Sequence, residues 1–302
     1  MRLTLGPLLY YWPRDQVFAF YRQLAELPLA TLYLGEVVCS KRRLLRLEDW
    51  LMLGEELAAS GKQVILSTLA LIEAESELAL LERQLGNGRF LLEANDVSAV
   101  QRCAALALPF VIGPHINCYN AATLEVLCRD GAVRWVPPLE LSGDALALLR
   151  SSPKVQIACE LFAYGRMPLA LSARCFTARH YQLPKDDCHY RCVDHPDGLR
   201  LDSQEGERLL VLNGIQTQSA SLLNLLPALP RLQQLGIDYL RLSPHSQAMP
   251  QVISTFHQAL HDGDLERAAA TLQRLPLHDY CNGYWYGRAG MVNGEITSTR
   301  SP

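Results

Sequence analysis

The chain has no apolar run approaching the roughly 20 residues that cross a bilayer. Its opening Met1-Arg2-Leu3 leads into Leu8-Leu9-Tyr10-Tyr11 and stops at Trp12-Pro13, too short for a secretory signal. It also lacks a surplus of positive charge. The 28 Lys and Arg stand against 31 Asp and Glu, for a net charge of -3. That balance argues against a general nucleic-acid or anionic-membrane surface, while leaving room for a small basic pocket. There is no interdomain linker, low-complexity tract or repeat. Neither a Ser-His-Asp set nor an H-E-x-x-H motif stands out, so proteolysis has no visible residues to carry it. A cytoplasmic location is expected, and in a reducing compartment clustered cysteines more often bind metal than form disulfides.

What the chain does have is cysteine, nine residues unevenly spread. Cys103, Cys128 and Cys159 stand among apolar neighbours, as small core fillers do. Cys175, Cys188 and Cys192 form a C-x12-C-x3-C run among Lys185, Asp186, Asp187, His189, Asp194 and His195. Thiolates so close in sequence suggest a shared ligand rather than separate tasks. Cys188 and Cys192 are expected on one face of a short helical turn, with Asp186 or Asp187 capping its start.

The remaining chain alternates between short apolar runs and helix-period segments, the signature of parallel β-α units. Strands are expected at Leu3–Tyr11, Thr31–Gly35, Gln63–Thr68, Phe90–Glu93, Phe110–Gly113, Arg134–Val136, Val155–Glu160 and Tyr239–Leu242. Helices are expected over Leu47–Ser60, Glu73–Leu85 and Leu222–Leu235, with Asp96 capping another. From Phe162 to about Ala220 the rhythm breaks, and Asn213-Gly214 between apolar stretches predicts a hairpin. The pattern predicts one TIM-barrel-like (β/α)8 domain over residues 1–302, with a cysteine-bearing insert over about 162–220 after strand seven. An open doubly wound sheet is the alternative.

Polar residues recur just past the strand ends: Glu36, Cys39, Glu93, Asn95, Asp96, His115, Asn117, Glu140, Glu160, Ser243 and His245. In a barrel these positions face one rim, where active sites sit, although each taken alone reads as a cap or a solvated side chain. Cys39 is the natural fourth sulfur, and Cys118 and Cys281 compete with it. The twelve residues between Cys175 and Cys188 reach roughly 40 Å when extended, so distance is no obstacle. Lys41, Arg42, Arg43 and Arg46 follow Cys39; a solvated helix face is the ordinary role for such a run, and offsetting thiolate charge the functional one. Four cysteines suit zinc or an iron–sulfur cluster. Only the Cys188/Cys192 pair has zinc-like spacing, which leans mildly toward iron, while His189 and His195 keep a mixed zinc site open.

Glu160-Leu161-Phe162, Gly165, Pro168 and Ser172-Ala173-Arg174-Cys175 together resemble the signature of the collagenase-like "U" peptidase family. The resemblance extends from the first strand, through Leu34-Gly35-Glu36-Val37-Val38-Cys39-Ser40, to the Gly283-Tyr284-Trp285-Tyr286-Gly287 tail. The chain is most similar to members that act in oxygen-independent ubiquinone biosynthesis. The resemblance implies a [4Fe-4S] cluster held by Cys39, Cys175, Cys188 and Cys192. It implies a heterodimer with a paralogous partner, UbiU, and a lipid-binding accessory protein, UbiT. It implies hydroxylation of ubiquinone precursor rings without oxygen, with prephenate as oxygen donor. Other members hydroxylate RNA bases, which makes an RNA-base hydroxylase one alternative and a non-catalytic, metal-stabilised partner subunit another.

Overall fold

A computed structural model describes residues 1–152, 156–277 and 279–294. Eight strands close a parallel barrel: β1 (Arg2–Leu5), β2 (Thr31–Leu34), β3 (Gln63–Ser67), β4 (Leu91–Ala94), β5 (Phe110–Ile112), β6 (Ala132–Trp135), β7 (Ala158–Leu171) and β11 (Tyr239–Leu242). Each pairs with the next, and β11 closes the ring by pairing in parallel with both β7 and β1. The expected TIM-barrel-like fold is therefore present, and the open sheet is not.

Helices α1 (Arg14–Ala25), α2 (Leu47–Ala59), α3 (Glu75–Leu85), α4 (Val97–Ala105), α5 (Ala121–Arg129) and α6 (Gly143–Arg150) follow the first six strands. Their starts carry sequence-legible caps. The Asp96 carboxylate accepts from Ser98 N, Asn120 Oδ1 from Thr123 N and Ser142 Oγ from Ala145 N. The tail tryptophan, Trp285, is buried against α6; a Cβ on Gly143 would come within 2.8 Å of its ring, so only glycine lets it seat.

Several spans differ from the sequence expectation. The first strand ends at Leu5, because Pro7 has no N–H to donate to a ladder, and Pro7–Trp12 instead crosses the barrel mouth as a buried loop. Strand seven starts at Ala158 and runs past the barrel to Leu171, while Val155 lies outside the described residues. At Gly165 (φ +125°) β7 passes so near β11 that a Cβ would lie 2.5 Å from Ser243 Cβ. Beyond that point β7 pairs antiparallel with β10 (Gln216–Asn224), which pairs with β9 (Arg208–Asn213), which pairs with β8 (Leu199–Asp202). The first part of the expected helix over Leu222–Leu235 is the end of β10. A short 3-10 turn follows, and the helix itself, α8, covers only Leu229–Gln234. The chain then passes through β11 to α9 (Met249–Asp262), α10 (Leu265–Gln273) and a short strand, β12 (Tyr280–Cys281).

Candidate functional site

The insert folds back over the mouth formed by the C-terminal ends of the barrel strands. After β7, Cys175 opens the short helix α7 (Phe176–His180), and its Sγ accepts from Ala178 N at 3.4 Å. The hairpin between β9 and β10 turns at Asn213-Gly214, as expected, with Gly214 at φ +67°. Its tip is a junction. Gly214 N donates to Thr177 Oγ1, Gly214 O accepts from Phe176 N, and Asn213 Nδ2 donates to Leu9 O at 2.7 Å.

Into that junction runs Arg42, which is buried rather than solvated. Its Nη1 donates to Leu9 O at 2.7 Å and its Nη2 to Asn213 Oδ1 at 2.6 Å. The solvated role expected for the basic run fails here because Gly35 (φ +115°) turns the chain inward after β2. Glu36 Oε1 then accepts from Val38 N and Cys39 N, closing a tight loop that aims position 42 at the hairpin.

Two of the four candidate sulfurs, Cys39 and Cys192, interact with this guanidinium, and Cys175 lies in reach of both. Cys39 and Cys175 pack in one small apolar patch with Leu9, Val37, Val38 and Ile215. Burial pushes the Cys39 thiol up to about 11 against the pull of Arg42, and neighbouring Glu36 and Cys175 add to the rise. Burial likewise raises the Cys192 thiol, again opposed by Arg42, with Glu36 and Cys175 in reach. Cys188 approaches through Lys41, whose ammonium interacts with both Cys39 and Cys188 and pairs with Asp186. Arg42 Nε is buried and has no hydrogen-bond partner.

Cys188 and Cys192 do not share one helical turn. Two 3-10 turns, Lys185–Asp187 and Arg191–Asp194, are separated by His189 and Tyr190, both with positive φ. Asp186 and Asp187 are not the cap, which is Pro184. His195 Nε2 is engaged with the Tyr181 hydroxyl at 2.6 Å and His189 Nε2 with Asp187 at 3.0 Å, so both rings are committed outside the sulfur group. Cys118 and Cys281 are fully buried: Cys118 lies just before α5, and Cys281 lies in β12. Among the described residues, no three His, Cys, Asp or Glu side chains converge tightly enough to hold a single metal ion.

Beneath the mouth lies a buried polar layer, and here Glu160 departs from expectation. It is not past a strand end but inside the barrel, fully buried on β7. Its carboxylate accepts from Thr4 Oγ1, Tyr33 OH, Arg134 Nη1 and Arg241 Nε. Burial alone would raise its pKa; Arg241, Arg134 and the Tyr33 hydroxyl outweigh that and hold it below the usual carboxylate range. Arg241 also donates Nη1 to Glu93 Oε1 at 2.6 Å. Two carboxylates and two guanidiniums thus balance in charge. The sequence reading passed over Arg241 and Arg134, whose only signal was a charged residue inside an apolar strand. Above this layer a small cavity is lined by Leu9, Val37, Phe162, His115, Ser243 and Arg241. Burial, with the Arg241 charge nearby, lowers His115 to about 4 and keeps its ring neutral. Asp96 and Asn117 stay apart from this arrangement: Asp96 caps α4, and Asn117 is exposed, as is Glu140.

A family model described as peptidase family U32 matches residues 15–292. Among solved structures, the chain is similar to the U32 peptidase Mk0906, with 11% identity, a TM-score of 0.47, and coverage of 82% of this chain and 94% of that one. It is also similar to dihydropteroate synthase from Thermus thermophilus, with 15% identity, a TM-score of 0.45, and coverage of 87% and 93%.

Proposed function

The chain belongs to peptidase family U32, and on that premise we propose that it is a cluster-bearing subunit of UbiV type, acting in the oxygen-independent hydroxylation of ubiquinone precursor rings. In this reading Cys39, Cys175, Cys188 and Cys192 hold a [4Fe-4S] cluster. UbiU is the partner subunit, UbiT presents the lipid, and prephenate is the oxygen donor.

The observation that carries the reading is that Cys39 and Cys192, far apart in sequence, both interact with the buried Arg42 and with Cys175. The donor set fits the group in two respects. Thiolates around one zinc ion lie about 3.8 Å apart, given Zn–S bonds of about 2.3 Å in a tetrahedron. A cluster would stand between its ligands and hold them farther apart than a single ion does. Arg42 and Lys41 provide positive charge beside thiols that burial keeps protonated, so ligation would release protons that these cations help to offset.

The cluster, when bound, supplies one-electron chemistry that side chains lack. The chain's own residues do the rest. Leu9, Val37 and Phe162 keep the mouth apolar above the polar layer. His115, held neutral, presents an uncharged ring to the small mouth cavity. Arg241, fixed by Glu93 and Glu160, sets a positive charge at the floor of that cavity.

The test is a pair of variants in an anaerobic hydroxylation assay with the partner subunit present. Cys188→Ala should lose both the cluster and the hydroxylation. Cys103→Ala, which touches only the core beneath α4, should keep both. Equal loss in the two variants would show that the wrong cysteines have been chosen.

A further inference from the structure

Beside the barrel mouth lies a groove of about 560 Å3 between the Cys39 loop, α2 and α3. That volume falls within the roughly 300–1,000 Å3 of small-molecule sites. Three smaller cavities, the one in the mouth among them, each have room for about one water-sized group. Leu45, Leu47, Trp50, Leu69 and Leu80 give the groove an apolar wall.

Its charges can be counted. Four guanidiniums, Arg42, Arg43, Arg46 and Arg83, face three carboxylates, Glu36, Glu48 and Glu77. Arg83 pairs with Glu48, and Arg42 lies 3.5 Å from Glu36. Glu77 is committed to the start of α3, where it accepts from Glu73 N, Ala74 N and the Ser40 hydroxyl. Arg46 feels Asp49, but that carboxylate is bonded to Arg14. Among the described residues neither Arg43 nor Arg46 has an ion-pair partner, and both are exposed. At the inner end lies Arg42, only 4% exposed, with Nη1 and Nη2 committed to Leu9 O and Asn213 Oδ1.

We propose that this groove binds an amphipathic monocarboxylate, with its apolar body on the Trp50–Leu80 wall and its carboxylate between Arg43 and Arg46. The charge count selects the class. One net positive charge matches a single carboxylate, whereas a phosphate dianion would leave the groove negative. Planar guanidinium forks suit a carboxylate's two oxygens. The site goes beyond the cluster reading and does not need it, because binding is measured on the full chain whether or not iron is present.

The experiment is calorimetric titration of the full chain with 2-naphthoate and with its neutral counterpart 2-naphthylmethanol. The acid should bind at least tenfold more tightly than the alcohol. Arg43→Ala/Arg46→Ala, two exposed positions whose removal leaves the core intact, should erase that preference while leaving the alcohol unaffected. Leu80→Glu, which places a carboxylate on the half-buried wall, should weaken the acid more than the alcohol. Equal affinities for the two probes, an unchanged preference in the double variant, or no binding of the acid would each overturn the proposal. Iron content measured on the same samples separates this outcome from failure of the cluster reading.

Discussion

Arg42 shows how much one side chain can organise. The sequence presents it as one of four bases after Cys39, and nothing in that run distinguishes it from Arg43 or Arg46. The difference comes from partners distant in the chain: Leu9 O and Asn213 Oδ1 fix two of its nitrogens and hold its charge near Cys39 and Cys192. A fixed cation next to ligating sulfurs stabilises the more negative, reduced state of a cluster. Arg42→Lys, which keeps the charge but cannot hold it in that fork, should therefore lower the midpoint potential. The expected shift is on the order of 60 mV, a tenfold change for a one-electron couple. A spectroelectrochemical titration checks it, and a thermal melt on the same sample separates tuning from unfolding. An unmoved potential in a folded, iron-loaded variant would assign Arg42 a packing role alone. The cysteines were easier to read than this arginine because their chemistry is rare. Arg241 was hidden for the opposite reason, since one charged residue in a short apolar strand gives no period to detect.

At the scale of elements, the hairpin tip does more than reverse the chain. Asn213-Gly214 was legible as a turn from its two residue types. Its role as the staple between the Cys39 loop and α7 was not, because that depends on where a long insert comes to rest. Gly214 sits at φ +67°, and a Cβ there would lie 3.1 Å from Arg42 Nη2. Gly214→Val should cost roughly 1–3 kcal/mol through backbone strain and should loosen the sulfur group more than the barrel. The expected result is a modest fall in melting temperature with a larger loss of retained iron after gel filtration. A variant that melts lower yet keeps its full iron would contradict this role. The same dependence on tertiary position explains the misread turn between Cys188 and Cys192. Spacing of four allowed a helix, but the insert places His189 and Tyr190 at positive φ and splits the segment in two.

For the whole molecule, the barrel was legible because the β-α rhythm repeats six times before the seventh strand runs into the insert. The polar interior was not, since inward and outward positions of a buried parallel strand look alike in sequence. That interior sets the response to acid. His115 and His245 both fall to about 4 in the folded chain, each chiefly through burial. In the unfolded chain each titrates near 6.5, so between these values the unfolded state binds protons that the folded state excludes. Their contribution is complete above about pH 6.5 and is lost as pH falls toward 4, at up to roughly 1.4 kcal/mol per pH unit for each histidine. Denaturant melts from pH 7 to 4.5 should show this decline, with a shallower slope in His245→Asn. Parallel slopes in the two proteins would remove His245 from the account.

The central claim is that four sulfurs distant in sequence hold one iron–sulfur core. Purification without air followed by iron and acid-labile sulfide analysis tests it most directly. The account predicts a brown protein with about four irons and four sulfides per chain. A colourless protein carrying one zinc, or no metal at all, would contradict it.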